Sequence, residues 1–273
     1  MTGTVLTRPA PSAWARIAWA RVGLELRLFV REPQQVVFSF AYPVLMMVVF
    51  GSVFGGNEVS PGVPFSQYFV AGIAATGIML TSFQAVGTGI AEERDRGDLE
   101  RLQVLGTPLV AYFGGKAGQV LVSTVAQLAV LLAVASLAYD VPLPDDPARW
   151  LTFTWVALGG ALAGTVLGIA VSSVVGSARA AGAGIPAFAV VLQFFSGVFF
   201  VYTELPAWMQ QVAAIFPLKW MTQGMRSVFL PEQAAAAEVA GAWEHGRTAL
   251  VLAAWVIIGV VVCARTFRWR RGA

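Results

Sequence analysis

Histidine, lysine and cysteine are almost missing from this 273-residue sequence. A single cysteine, Cys263, excludes an intrachain disulfide and any multi-cysteine metal site. A single histidine, His245, argues equally against a histidine-based metal centre. Charge is scarce too: 12% of residues are Asp, Glu, Lys or Arg, against about a quarter in ordinary soluble domains. Arginine outnumbers lysine 16 to 2, and with abundant alanine and glycine this suggests a GC-rich bacterial genome.

Hydrocarbon fills the space that charge leaves. Hydrophobic residues make up 57% of the chain and mean hydropathy is +0.70. About 20 apolar residues cross a bilayer as a helix. Six uncharged stretches are candidates, at about 34–55, 66–91, 118–139, 150–176, 183–203 and 248–264. The expected fold is an all-α polytopic membrane protein with a transmembrane domain over 34–267 and a basic tail at 268–273. Residues 1–33 carry five arginines and lack a continuous apolar core, so they are expected to be retained, not cleaved as a signal peptide. With six spans both termini share a side, and that side collects 14 of the 18 basic residues. The bias places both termini in the cytoplasm.

The empty spans exclude chemistry. Proton- or ion-coupled transporters usually keep acidic or histidine side chains within the membrane; these six stretches hold none. No dyad or ligand set for an intramembrane protease is present, so catalysis by this chain is not expected. GGKAG, residues 114–118, lacks the upstream glycine spacing of a P-loop and has Ala117 where Ser or Thr should follow the lysine. Lys116 reads as a cytoplasmic anchor, and the glycines suit close packing.

Residues 12–31 read as an interfacial helix: Arg16, Arg27 and Arg31 fall within about 60° of one another on the wheel, with Trp14, Leu24 and Leu28 over much of the rest. Arg21 and Glu25 break its apolar face. A basic juxtamembrane segment that only fixes topology is the plainer alternative. In span four Gly160, Gly164, Gly168, Ser172 and Gly176 recur every four residues, a stripe for close helix packing, expected inside one subunit. After span five, residues of about 204–232 are divided by Pro206, Pro217 and Pro231 and interrupted by Lys219 and Arg226. Each piece is too short to span, so external half-helices dipping into the outer leaflet are expected.

One dense ionic block stands out, EERDRGDLERLQVLGTP at 92–108, with eight charges between Glu92 and Arg101. Gly97 breaks the run, Asp98 is suited to cap a short helix, and Gly106 and Pro108 end it. Leu99, Leu102 and Leu105 would form an apolar ridge on it, while Glu92 and Glu93 are spaced to pair with Arg96. Residue chemistry alone fits two readings equally: a helix that docks in a partner's groove, or a solvated turn.

The order of parts resembles the membrane subunits of the ABC type-2 exporter family, most closely the bacterial daunorubicin-resistance type permeases. The resemblance rests on the elbow helix, the six spans, the block at 92–108 and the segment FPLKWMTQGMRSVFL at 216–230. The block follows that family's E-x-x-R-x-x-G-T-L-E-x-L pattern, with Asp98 where threonine is usual. The resemblance implies a coupling helix at about 92–106, docked on one of two cytoplasmic ABC ATPase subunits through Glu92, Glu93, Arg94, Arg96, Gly97, Asp98, Leu99, Glu100 and Leu102. It further implies a second permease subunit, lipid contacts through the elbow residues Trp14, Arg16, Arg27 and Arg31, and no nucleic-acid partner. ATP and magnesium would be held by the ATPase, with no cofactor or metal in this chain. By position, a pathway along spans one, two and five nominates Phe38, Tyr42, Thr81, Gln84, Gln193, Phe194 and Phe199. The implied activity is export of a hydrophobic or amphiphilic compound, such as a drug, antibiotic or lipid, across a bacterial cell membrane. Polysaccharide or glycolipid export by the same fold, and a non-transporting receptor or assembly factor, are the alternatives.

Overall fold

A computed structural model of the chain describes residues 11–267, apart from the side chains of residues 11–15, 34 and 35. The basic tail at 268–273 and the Trp14 side chain therefore lie outside the described residues. In lipid every backbone polar group must be satisfied within its own segment, so long apolar stretches fold as helices. Among the described residues, six helical segments are long and apolar enough to cross a membrane. They are α2 (Pro33–Phe54), a continuous rod made of α3 (Phe65–Met79), a π turn (Leu80–Gln84) and α4 (Ala85–Asp95), then α6 (Leu109–Tyr139), α7 (Pro147–Val174), α8 (Ala178–Phe195) and α11 (His245–Thr266). The chain is an all-α polytopic membrane protein.

Local chemistry sets the boundaries. Pro33 and Pro147 occupy the first turns of α2 and α7, where a missing N–H does no harm. Asp146 and Ser177 accept backbone N–H bonds at the starts of α7 and α8 (2.9 and 3.1 Å). Two boundaries differ from expectation. α6 begins at Leu109, not near 118, because Lys116 is buried and paired inside the bundle and gives the helix no reason to stop. α8 ends at Phe195, not near 203, because the chain turns at Ser196 and at Gly197, whose φ of +72° is left-handed.

The α3–π–α4 rod is the hub: 83% of its apolar window is buried, against 22% for α2 and for α11. Its π turn is steadied by hydroxyls, Thr81 Oγ1 donating to the carbonyls of Gly77 and Ile78 and Ser82 Oγ to that of Ile78 (2.6 Å). The glycine stripe of α7 lies against this turn. A Cβ at Gly164 would strike Ser82, and one at Gly168 would come within 2.7 Å of the Phe83 carbonyl oxygen. The stripe thus serves a contact inside one subunit.

Short helices α9 (Ala207–Ile215) and α10 (Pro217–Phe229) follow span five. Two short helices stand where half-helices were expected, and α10 is enclosed by the bundle: Leu218 to Phe229 are all buried, packed against α3, α7 and α11. Its charged and polar groups find partners within the protein, so protein and not lipid encloses it. α1 (Pro11–Arg31) packs along α6. A Cβ at Gly115 or Gly118 would collide with Arg21 or Val22, so the glycines of GGKAG seat α1.

Candidate functional site

One end of the bundle collects α1, the foot of α4, the start of α6 and α8, and a helix made by the ionic block, α5 (Asp98–Val104). Gly97 enters α5 with φ of +78°, and Gly106 leaves it at +69°. Thr107 N–H bonds to Leu102 O and Gly106 N–H to Gln103 O, the Schellman pattern that closes the last turn. Asp98 is the first residue of the helix and makes no cap; Gly97 holds the cap position. The Asp98 carboxylate instead accepts from Arg96 Nε (3.1 Å) and lies 3.7 Å from Arg101. Glu92 pairs with Arg96 at 3.7 Å, as the spacing predicted.

Half of the block faces inward. Glu93 does not meet Arg96: Tyr112 Oη donates to it (2.7 Å), and Lys116 Nζ donates to its other oxygen. Lys116 also donates to Glu25 of α1 (2.7 Å), whose remaining oxygen lies 2.6 Å from Arg21 as an ion contact without hydrogen-bond alignment. Arg21, Glu25, Glu93 and Lys116 thus form a balanced cluster of two cations and two anions, three of them buried. Arg94 donates to the Ser172 carbonyl of α7, and Asp95 accepts the Ala178 N–H that opens α8 (2.7 Å). The foot of span two is therefore tied to α1, α6, α7 and α8 together.

Burial divides the expected docking set. Glu93 and Leu99, expected on the partner-facing surface, are 7% and 0% exposed, and Leu102 packs partly against the core. Arg94 also points into the bundle. Two residues outside the expected set face solvent instead, Val104 and Leu105, at 70% and 74% exposed. With Arg96, Gly97, Glu100 and Arg101 they line a shallow groove. On α1 Arg16, Arg27 and Arg31 are exposed, while Arg21 and Glu25 turn toward the bundle. That explains the interruption of its apolar face.

The family description of the ABC-2 type transporter matches residues 18–230, most of the chain and both the block and α10. The chain belongs to the ABC-2 type transporter family. Among curated relatives, a probable multidrug ABC transporter permease, YbhR, of Escherichia coli K12 is 28% identical over 178 residues, 64% of this chain and 47% of that protein. The YbhR of Escherichia coli O157:H7 gives the same figures. The chain thus spans about half the length of the curated relatives it matches.

In this ABC-2 type chain the nominated pathway residues divide. Tyr42 donates to Gln193 Oε1 (2.9 Å), joining α2 to α8. Phe199 lies in the turn after α8, with its ring 5.4 Å from Phe50 and 5.0 Å from Phe194. Phe38, 72% exposed, stands one helical turn from Tyr42. Thr81 is elsewhere, buried against α6 with its hydroxyl 3.0 Å from that of Thr124, and it is no part of this group. Gln84 is half-buried at the end of the π turn.

The opposite end of the ABC-2 chain carries a second charged cluster. Arg226, 1% exposed, holds Glu238 with two bonds (2.6 and 3.1 Å). Lys219 donates to Gln223 (2.8 Å), lies 3.7 Å from Glu244 and stands 3.5 Å over the Trp220 ring. Burial lowers its pKa to about 8 from an ordinary 10.5, and the Glu244 and Glu238 carboxylates only partly oppose the shift. Below about 8 Lys219 is charged in both folded and unfolded chains; between there and 10.5 the unfolded chain holds a proton that the folded one has released. Stability should therefore rise with pH across that window, and the rise should shrink in Lys219→Met. Unfolding in detergent at a series of pH values measures it; the same slope in both proteins would refute the assignment.

Glu25, Tyr112, Glu238 and Glu244 were not visible as partners in the sequence. Only the presence of cations in apolar surroundings signalled that such counter-charges must exist.

Proposed function

We propose that this chain is the membrane subunit of an ATP-binding cassette exporter, with its basic end in the cytoplasm of a bacterial cell. The observation that carries the reading is α5, whose exposed Val104–Leu105 edge stands in front of a buried ion cluster tied to four other helices. A push on such a helix is passed to the bundle and not absorbed by a mobile loop. The partner on that edge is an ABC ATPase subunit, in two copies, which binds ATP and magnesium. A second permease subunit, identical or related, completes the path. The 14-to-4 distribution of basic residues supports the orientation. Its cargo is a hydrophobic or amphiphilic compound, in keeping with exposed Phe38 and Phe194 beside the partly buried Tyr42–Gln193 contact of α2 and α8 and with the multidrug name of the YbhR relative.

The test is transport of a fluorescent amphiphilic cation by inside-out vesicles containing the chain and its ATPase. Uptake should require ATP with magnesium and persist when an uncoupler abolishes the proton gradient. Uptake that continues without ATP and stops with the uncoupler would refute the proposal.

A further inference from the structure

A crevice of about 400 Å³ runs between α8 and the packed edge formed by the π turn, α7, α10 and α11. Phe83, Leu167, Phe188 and Trp255 represent its walls, which are built from aromatic, aliphatic, methionine and glycine residues. Its size is within the usual range for a ligand pocket, about 300–1,000 Å³. Such walls offer water almost no hydrogen-bond partner.

The back and one end of the slot are tightly packed. Behind it Gly160 and Gly164 are pressed against Met221 and Ser82 with no space for even a methyl group. At one end the Trp255 indole is fixed by its bond to Ile215 O (2.7 Å) and stacks with Phe216. Its mouth is open: Phe188 is 43% exposed, and a Cβ built at Gly184 meets no atom within 4 Å. Left empty, the walls would forfeit their dispersion contacts on one side. Of the helices that frame it, α7, α8, α11 and the span-two rod are long and apolar enough to cross a membrane, and the short α10 is buried among them. The medium at the mouth is therefore bilayer hydrocarbon, and no hydrophobic force separates that medium from the slot; shape and packing decide occupancy.

We propose that this slot binds one acyl chain of a membrane lipid, held against Phe83 of the π turn. It is a different surface from the Tyr42–Gln193 contact: Leu192 lines the slot, while the next residue, Gln193, bonds to α2. The inference does not depend on how transport is energised.

The test uses the full chain in nanodiscs doped with a phospholipid carrying a diazirine midway along one acyl chain, photolysed and mapped by peptide mass spectrometry. Leu250 and Ile257 of α11, 69% and 64% exposed, report ordinary lipid collision. Phe188 and half-buried Leu167 are less exposed than these, so collision alone predicts weaker labelling there. Retention of a chain predicts labelling several-fold stronger at Leu167 and Phe188. Gly184→Trp, which projects into open space, should reduce slot labelling several-fold and leave Leu250 and Ile257 unchanged. If the tryptophan variant is not monodisperse, Gly184→Leu is read in the same way. Slot labelling no stronger than at α11, or unmoved in the folded variant, overturns the proposal.

Discussion

Replacing Lys116 by methionine is expected to destabilise the chain by about 3–5 kcal/mol, the usual consequence of removing one member of a buried ion pair. Lys116 donates to Glu25 and Glu93 at once, and its side chain is 8% exposed. Without it two buried carboxylates face each other with Arg21 as their nearest cation, 2.6 Å from Glu25 and 4.0 Å from Glu93, and the Tyr112 hydroxyl on Glu93. The cluster passes from neutral to a net charge of −1 while its carboxylates stay buried, at the edge of a polar cavity of about 1050 Å³. A second substitution, Glu93→Gln, restores neutrality, leaves Arg21 with Glu25, and keeps an amide oxygen for Tyr112. Lys116→Met with Glu93→Gln should therefore recover most of the loss. Denaturant unfolding in mixed micelles measures both; a loss below about 1 kcal/mol for the single variant, typical of an exposed pair, would show that the cluster is not the anchor described here.

Aspartate at both Val104 and Leu105 is expected to abolish co-purification of the ATPase and ATP-driven transport, with folding unchanged. The two side chains are the most exposed apolar groups of the α5 edge, at 70% and 74%. Burying an aliphatic side chain in a partner is worth about 1.5–3 kcal/mol, so losing two weakens binding by about a hundredfold or more. The new carboxylates would add a desolvation penalty in the same direction. Reversing Glu92 and Arg96 should do much less, because both are about half exposed and such pairs contribute ~0.2–1 kcal/mol. Pull-down of tagged ATPase from detergent extracts reads the difference. Full retention of the ATPase by the folded double variant would move the docking surface away from α5.

The contrast between these substitutions shows what kind of information each residue carried. Six uncharged stretches were legible as six helices, because lipid leaves the backbone no other solution. The start of α2 followed from Pro33, whereas α7 begins at Pro147, a turn before the uncharged stretch expected at 150. The glycines at 97 and 106 marked both ends of α5, since each needs a left-handed φ. The small-residue stripe of α7 announced close packing, though nothing local named the π turn as its partner.

Other features had no local signature. Glu93 and Arg96 stand three apart, a spacing that predicts a surface pair, yet Glu93 meets Lys116 and Tyr112 on α6. Leu99, Leu102 and Leu105 formed one ridge in the sequence; packing divided it, leaving only Leu105 fully in solvent. α10 carries Lys219 and Arg226 and read as a half-helix dipping into the outer leaflet; that Glu238 and Glu244 pair those charges inside the protein had no local sign.

Composition and period by themselves determined that this chain spans a membrane six times and offers a short charged helix at the foot of span two. The tertiary structure alone decided which charges of that helix face outward and which lock it to the bundle. Hydrophobic burial and backbone hydrogen bonding act within a segment and can be read along it. An ion pair between α1 and α6 depends on where two distant segments come to rest, and linear spacing does not encode that.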